Sequence, residues 1–215
     1  MLSRLSLSGL LAAAVLTPLS VAAAPAAIAD DCPRAELVFA RGTAEAPGLG
    51  LVGDALAAAL TNKVSGMGTY AVNYPASYNF LNTQNGANDA AAHIAWMADN
   101  CPNTKIVLGG YSQGAAAMSM LAGVPPVGER IGMFGSAPAL APDLANNVAA
   151  VAVFGNPGRR FGEPLSSNGQ FAGRTIDLCS PGDPICSDGR DRSAHSNYEQ
   201  SPYPQQAASF IAARV

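Results

Sequence analysis

Lys105-Ile106-Val107-Leu108-Gly109-Gly110-Tyr111-Ser112-Gln113-Gly114-Ala115-Ala116-Ala117-Met118 runs from an apolar, β-branched stretch to an alanine-rich one through the pattern Gly-x-Ser-x-Gly. The first part reads as a buried strand. The second reads as a helix over Ala115 to Leu121, closed by Gly123 and Pro125. A turn this tight between strand and helix leaves no room for Cβ atoms at its flanks, which is why glycine stands at 110 and 114. It lifts Ser112 clear of the sheet and points the free N–H groups of the following helix at it. Ser112 is therefore the candidate nucleophile.

The same alternation extends in both directions. Glu36 to Ala40, Tyr70 to Tyr74, Lys105 to Leu108 and Thr175 to Leu178 read as strands, and Arg130 to Phe134 and Val148 to Phe154 are further apolar runs. Leu51 to Leu60, Asn88 to Asn100 and Gln205 to Arg214 read as helices. Strands alternating with helices imply right-handed βαβ units, hence a three-layer α/β/α sandwich around a mostly parallel, five-stranded sheet. Chemistry in such a sheet belongs at the carboxyl ends of the strands. Thr43, Ser112 and Asp183 each follow an apolar run. The segments between elements are too short for a lid domain.

The N-terminus reads as a leader. Arg4 precedes an apolar run through Leu10 to Leu16, Pro18 breaks it, and Ala27-Ile28-Ala29 fits a small-x-small cleavage site. Residues 1–29 are expected to be a signal peptide and residues 30–215 a single domain. Without Arg4, the 12 Lys and Arg become 11 against 15 Asp and Glu, a net charge of −4. Such a chain has no electrostatic footprint for nucleic acid. Four cysteines behind a leader imply two disulfides in an oxidising compartment. Of three possible pairings, Cys32–Cys101 with Cys179–Cys186 is preferred. The second would close a short loop over Ser180 to Ile185. No Cys-x-x-Cys pair or neighbouring histidine set supports a zinc site, and no metal or organic cofactor is expected.

A serine hydroxyl needs a base. The chain has two histidines, His93 and His195. His93 sits within a helical pattern before Ser112 and reads as a packing residue. His195 lies downstream in a polar loop and fits the order serine, acid, histidine. Asp143, Glu163, Asp177, Asp183, Asp188 and Asp191 are the realistic choices of acid between Ser112 and His195. Asp183 leads, since a loop stapled at a strand end is a firm mount for a group that must orient an imidazole. Asp177 and Asp188 stand in reserve. Oxyanion donors are expected from the N–H of Gln113 and from Thr43 in the loop Arg41-Gly42-Thr43.

Together, Ala40-Arg41-Gly42-Thr43, Gly109-Gly110-Tyr111-Ser112-Gln113-Gly114, Cys179-Ser180-Pro181-Gly182-Asp183-Pro184-Ile185-Cys186, and His195 followed by Tyr198 resemble the cutinase family, including its actinobacterial esterases. The resemblance spans almost the whole chain after the leader and agrees with the preferred disulfide pairing. It implies a Ser112–His195–Asp183 triad and an oxyanion hole of Thr43 and Gln113. It also implies an exposed site whose acyl contacts would come from Phe80, Leu81 and Ile185. The expected protein is a secreted, monomeric serine carboxylesterase, with the cell wall as an alternative location. Its substrates would be short- to medium-chain esters, including cutin-like polyesters or lipids met at an interface. Lipase, phospholipase A and acetylxylan esterase activities are alternatives on the same scaffold. A secreted binding or antigen-like protein without activity is the alternative from another class.

Overall fold

The structure, a computed structural model, describes residues 32–126 and 134–215. The expected leader and most of the apolar run Arg130 to Phe134 lie outside these residues. Five strands form one sheet: β1 (Ala35–Ala40), β2 (Met67–Ala71), β3 (Lys105–Tyr111), β4 (Val148–Phe154) and β5 (Thr175–Leu178). Their order is β2-β1-β3-β4-β5 and every pairing is parallel. A parallel sheet needs cover on both faces, so its central strands read as continuous apolar runs. All six residues of β1 are buried.

The two faces receive different helices. Val38, Ile106, Leu108, Val151 and Val153 pack with residues of α2 (Thr83–Asn100) and α3 (Gln113–Leu121). Leu37, Phe39, Val107, Ala152 and Phe154 pack with α1 (Gly50–Thr61) and α7 (Tyr203–Ala212). The period-two alternation along each strand thus builds the three-layer sandwich expected from the sequence. Three short helices, α4 (Pro142–Ala145), α5 (Pro157–Arg160) and α6 (Arg192–Ser196), complete the described chain.

Three departures from the sequence reading bear on the site. The second strand was expected over Tyr70 to Tyr74 but spans Met67–Ala71. The chain leaves the sheet there because other groups take its backbone: Asn73 N–H donates to Asp89 Oδ2 at 2.8 Å, and Arg41 donates to the carbonyls of Val72 and Tyr74. Helix α2 begins at Thr83 rather than Asn88, entered through a 3-10 turn at Phe80–Asn82. His195 was expected in a loop but lies in α6, whose first turn is capped by Asp191 accepting from Ser193 N–H at 2.9 Å.

Both disulfides form in the preferred pairing, Cys32–Cys101 and Cys179–Cys186. On a chain-entropy account the first contributes about 4 kcal/mol and the second about 2.5 kcal/mol.

Candidate active site

Ser112 stands between β3 and α3 with φ 53° and ψ −112°, one of three non-glycine residues with positive φ among the described residues. Strain of this kind persists only where the surroundings fix it. A Cβ at Gly110 would meet the Gly114 carbonyl oxygen at 2.5 Å, and one at Gly114 would overlap the carbonyl oxygen of Ala40. The Ser112 N–H is held by the carbonyl of Phe154 at 2.9 Å. The turn is thus fixed from β1, β4 and α3 together.

His195 joins Ser112 to Asp183. Its Nε2 lies 2.9 Å from Ser112 Oγ, and its Nδ1 lies 2.8 Å from Asp183 Oδ2. Tyr111, the last residue of β3, donates its hydroxyl to the His195 carbonyl at 2.5 Å and sets its ring 5.1 Å from the imidazole. On the opposite side Gly155 has φ +57°, and a Cβ there would come within 2.8 Å of His195 Cε1.

Asp183 has no solvent contact. Burial alone would raise its carboxyl pKa, but donors from His195, Tyr198 and the Ile185 N–H outweigh it and hold the group below the ordinary carboxylate value. Tyr198 is itself buried. Its hydroxyl donates to Asp183 Oδ2 at 2.7 Å and accepts from Ser180 N–H at 2.8 Å. Burial raises the Tyr198 phenol far above its usual range, so it remains a donor at any working pH. Cys179 and Cys186 flank Asp183, but both sulfurs are bonded to each other and both carboxylate oxygens accept hydrogen bonds. That group offers a metal no free donor.

Gln113 opens α3, where helix N–H groups have no partner within the helix. Thr43 Oγ1 donates to Gln113 Oε1 at 2.9 Å, and Gln113 Nε2 donates to Thr83 Oγ1 at 3.0 Å. The Gln113 side chain is thereby locked between the β1 and α2 loops. Gly42 permits this approach, since a Cβ there would meet the Tyr111 ring at 2.6 Å. Beneath the loop, Arg41 donates to the Tyr74 carbonyl at 2.7 Å and Tyr74 Oη donates back to the Arg41 carbonyl at 2.6 Å.

Ser112 and His195 open onto a cleft of about 760 Å³. Phe80 and Ile185 line it, joined by Tyr78, Phe134 and Phe161, and Phe80 stacks on Phe134 at 5.0 Å. Leu81 is not among the lining residues and is 48% exposed. Successive side chains of a 3-10 turn diverge by a third of a turn, so Phe80 and its neighbour cannot share a wall. His93 behaves as a packing histidine. It meets Glu36 at 2.7 Å and stacks on Tyr70 at 3.5 Å, on α2 and away from the cleft.

The sequence reading had no role for Tyr111, Asn156 or the two arginines of the cleft, Arg160 and Arg192. Tyr198 entered it only as part of a motif. The tyrosines act through contacts far apart in the chain, and no local spacing announces them.

Comparison with known proteins places this geometry. The family model for cutinase matches residues 31–215. The probable carboxylesterase Culp3 of Mycobacterium tuberculosis is 48% identical over 95% of this chain and 78% of its own length. The phospholipase Culp4 of the same organism is 48% identical over 94% of this chain and 85% of its own length. Among solved structures, the catalytic core of Trichoderma reesei acetyl xylan esterase superposes with a TM-score of 0.74 at 27% identity, covering 86% of this chain and all of that one. Trichoderma reesei cutinase bound to a phosphonate inhibitor gives a TM-score of 0.67 at 30% identity, covering 86% and 77%. The chain belongs to the cutinase family of serine carboxylic ester hydrolases.

Proposed function

We propose that the protein is an exported carboxylesterase that works through Ser112, His195 and Asp183 by a two-step acyl-enzyme route. One observation carries this reading: the continuous hydrogen-bonded line from Ser112 Oγ through His195 to Asp183 Oδ2, at 2.9 and 2.8 Å, on the wall of an open cleft. Ser112 attacks the ester carbonyl while His195 Nε2 takes its proton. The N–H groups of Thr43 and Gln113 receive the oxyanion, each worth about 3 kcal/mol in the transition state. His195 then protonates the departing alcohol, and water, activated by the same imidazole, releases the acid. Asp183 holds the tautomer that leaves Nε2 free to accept, and stabilises the imidazolium between the two proton transfers.

Short- to medium-chain esters suit the site. Phe80 and Phe134, stacked on each other, offer an apolar wall for the acyl chain. Tyr78 is 78% exposed and Phe161 is 43% exposed beside it, a rim fitted to a lipid or polyester surface. Residues 1–29 serve as the export leader, which N-terminal sequencing of the mature protein checks. The central test is Ser112→Ala against p-nitrophenyl butyrate with fluorophosphonate labelling in parallel. Turnover should fall to background and labelling should vanish; unchanged turnover would reject the assignment.

A further inference from the structure

The chain as a whole is acidic, with 15 Asp and Glu against 12 Lys and Arg. The cleft reverses that balance. Among the described residues that line it, Arg160 and Arg192 carry full positive charge and none is Asp or Glu. An ester with an uncharged acid and an uncharged alcohol needs neither arginine.

Their positions are specific. Arg192 opens α6 and lies one turn before His195, so the two share a helix face. Arg160 ends α5 and donates through Nη1 to the Pro184 carbonyl at 2.6 Å, which ties it to the loop carrying Asp183. Both cations therefore stand on the base's side of Ser112. That is the side on which the alcohol must leave, since it departs within hydrogen-bond reach of His195 Nε2.

Neither arginine has a buried ion-pair partner among the described residues. Arg192 has no ion-pair partner among the described residues. The neighbouring Asp191 is engaged by the N–H and hydroxyl of Ser193 at 2.9 and 2.6 Å. Arg160 meets only Asp188, at 3.6 Å, and that carboxylate is 99% exposed. A pair so open to water contributes little. One of the five donors of Arg160 is used, and the others remain for a planar or tetrahedral anion.

We propose that Arg160 and Arg192 form an anion subsite for the leaving group, selecting carboxylic esters whose alcohol half carries a phosphate or carboxylate. This rests on the Ser112–His195 reading of the cleft. The anion can be borne by a lipid headgroup or by a soluble alcohol, and the chemistry recognised is the same.

The test compares p-nitrophenyl butyrate with its ring-carboxylated counterpart, which differ in leaving-group charge. The ratio of kcat/KM, anionic over neutral, is read in the wild type, Arg192→Gln, Arg160→Gln and the remote control Lys63→Gln. The ratio should fall about two- to fivefold in Arg192→Gln, as for loss of one exposed charge contact, and also in Arg160→Gln. It should hold in Lys63→Gln and weaken in the wild type as salt rises. A second arm compares phosphatidylglycerol with diacylglycerol of the same acyl chains in vesicles of non-hydrolysable ether phosphatidylcholine, since only the former substrate carries a phosphate. A preference for the former that Arg192→Gln reduces, alongside the soluble effect, identifies the headgroup as a source of the anion. A ratio equal in the wild type and Arg192→Gln overturns the proposal. So does a preference seen on vesicles alone, because a charged interface attracts without any site. Arg192 is exposed, so Arg192→Gln should leave packing intact, and its result stands even if Arg160→Gln disturbs the Pro184 loop. Absence of turnover on the neutral ester would instead count against the Ser112 reading.

Discussion

Asp177, in β5, and Asp183, in the disulfide-bounded loop that follows, are both buried aspartates on one stretch of chain, yet their surroundings push them apart. Asp183 receives donors on both oxygens, from Ile185 N–H on Oδ1 and from His195 and Tyr198 on Oδ2. Asp177 receives Asn156 Nδ2 and Leu165 N–H on Oδ2, while its buried Oδ1 has no partner among the described residues. Burial therefore dominates Asp177 and raises its pKa, against weaker opposing help from Asn156, Leu165 and Arg159. At Asp183 the donors prevail and its pKa falls. Burial does not decide what a carboxyl becomes; the count and quality of its donors does. One aspartate is held in its charged form and hydrogen-bonded to an imidazole. The other fastens the backbone behind it, since Asn156 follows Gly155 and caps α5 through its Oδ1.

The contrast can be broken in graded steps. The largest effect belongs to Asp183→Asn. It keeps the shape but removes the charge and offers the imidazole the wrong tautomer, and kcat should fall about ten-thousand-fold with folding retained. A loss under tenfold would move the acid's role elsewhere, with Asp177 the first place to look.

Next comes Tyr198→Phe, which deletes one donor to Asp183 and leaves Ser180 N–H without an acceptor. Stability should drop by about 1–3 kcal/mol in urea unfolding, and kcat/KM should fall about tenfold. Without that donor the Asp183 pKa rises, so activity should fail at a higher pH on the acid side than in the wild type.

The smallest effect on rate is expected for Asp177→Asn, with kcat/KM within about threefold of the wild type. Its signature is in stability. A carboxyl whose pKa is raised by folding keeps its proton after the unfolded chain has lost it, so native stability declines as pH rises above the ordinary carboxylate value of 3.8. Asp183, lowered from 3.8, acts with the opposite sign: its contribution is present above that value and is lost as pH falls through the folded pKa. Urea midpoints measured from pH 4 upward should thus shift in favour of Asp177→Asn relative to the wild type. A constant offset across the series would mean that the donors to Asp177 suffice after all.

Local pattern made some of this legible. The Gly110–Ser112–Gly114 turn and its flanks could be read because the conformational demand sits in the same five residues that meet it. Asp183 could be ranked above Asp177 because Asp177 falls within a strand pattern while Asp183 sits in a loop bounded by cysteines, although the donors that separate them physically were not visible. Tyr111 and Tyr198 resemble ordinary core aromatics in sequence. Their roles depend on residues brought near only when β3, the disulfide loop and α6 converge. The early start of α2 was hidden because Asn85 and Gly86 look like loop, whereas Gly86 is there to let the Tyr74 ring approach, with a Cβ meeting it at 3.1 Å. The arginines of the cleft carry no motif, and only the closed fold brings them to the same wall as Ser112.

Gly155 has a consequence for motion. With its bare Cα against one edge of the imidazole and the Tyr111 hydroxyl anchoring the His195 backbone, the ring has a backstop behind it, while its other side lines the cleft. On the proposed reading an ester in the cleft stands on that remaining side, so the substrate would become the last wall of the compartment that aims its own proton acceptor.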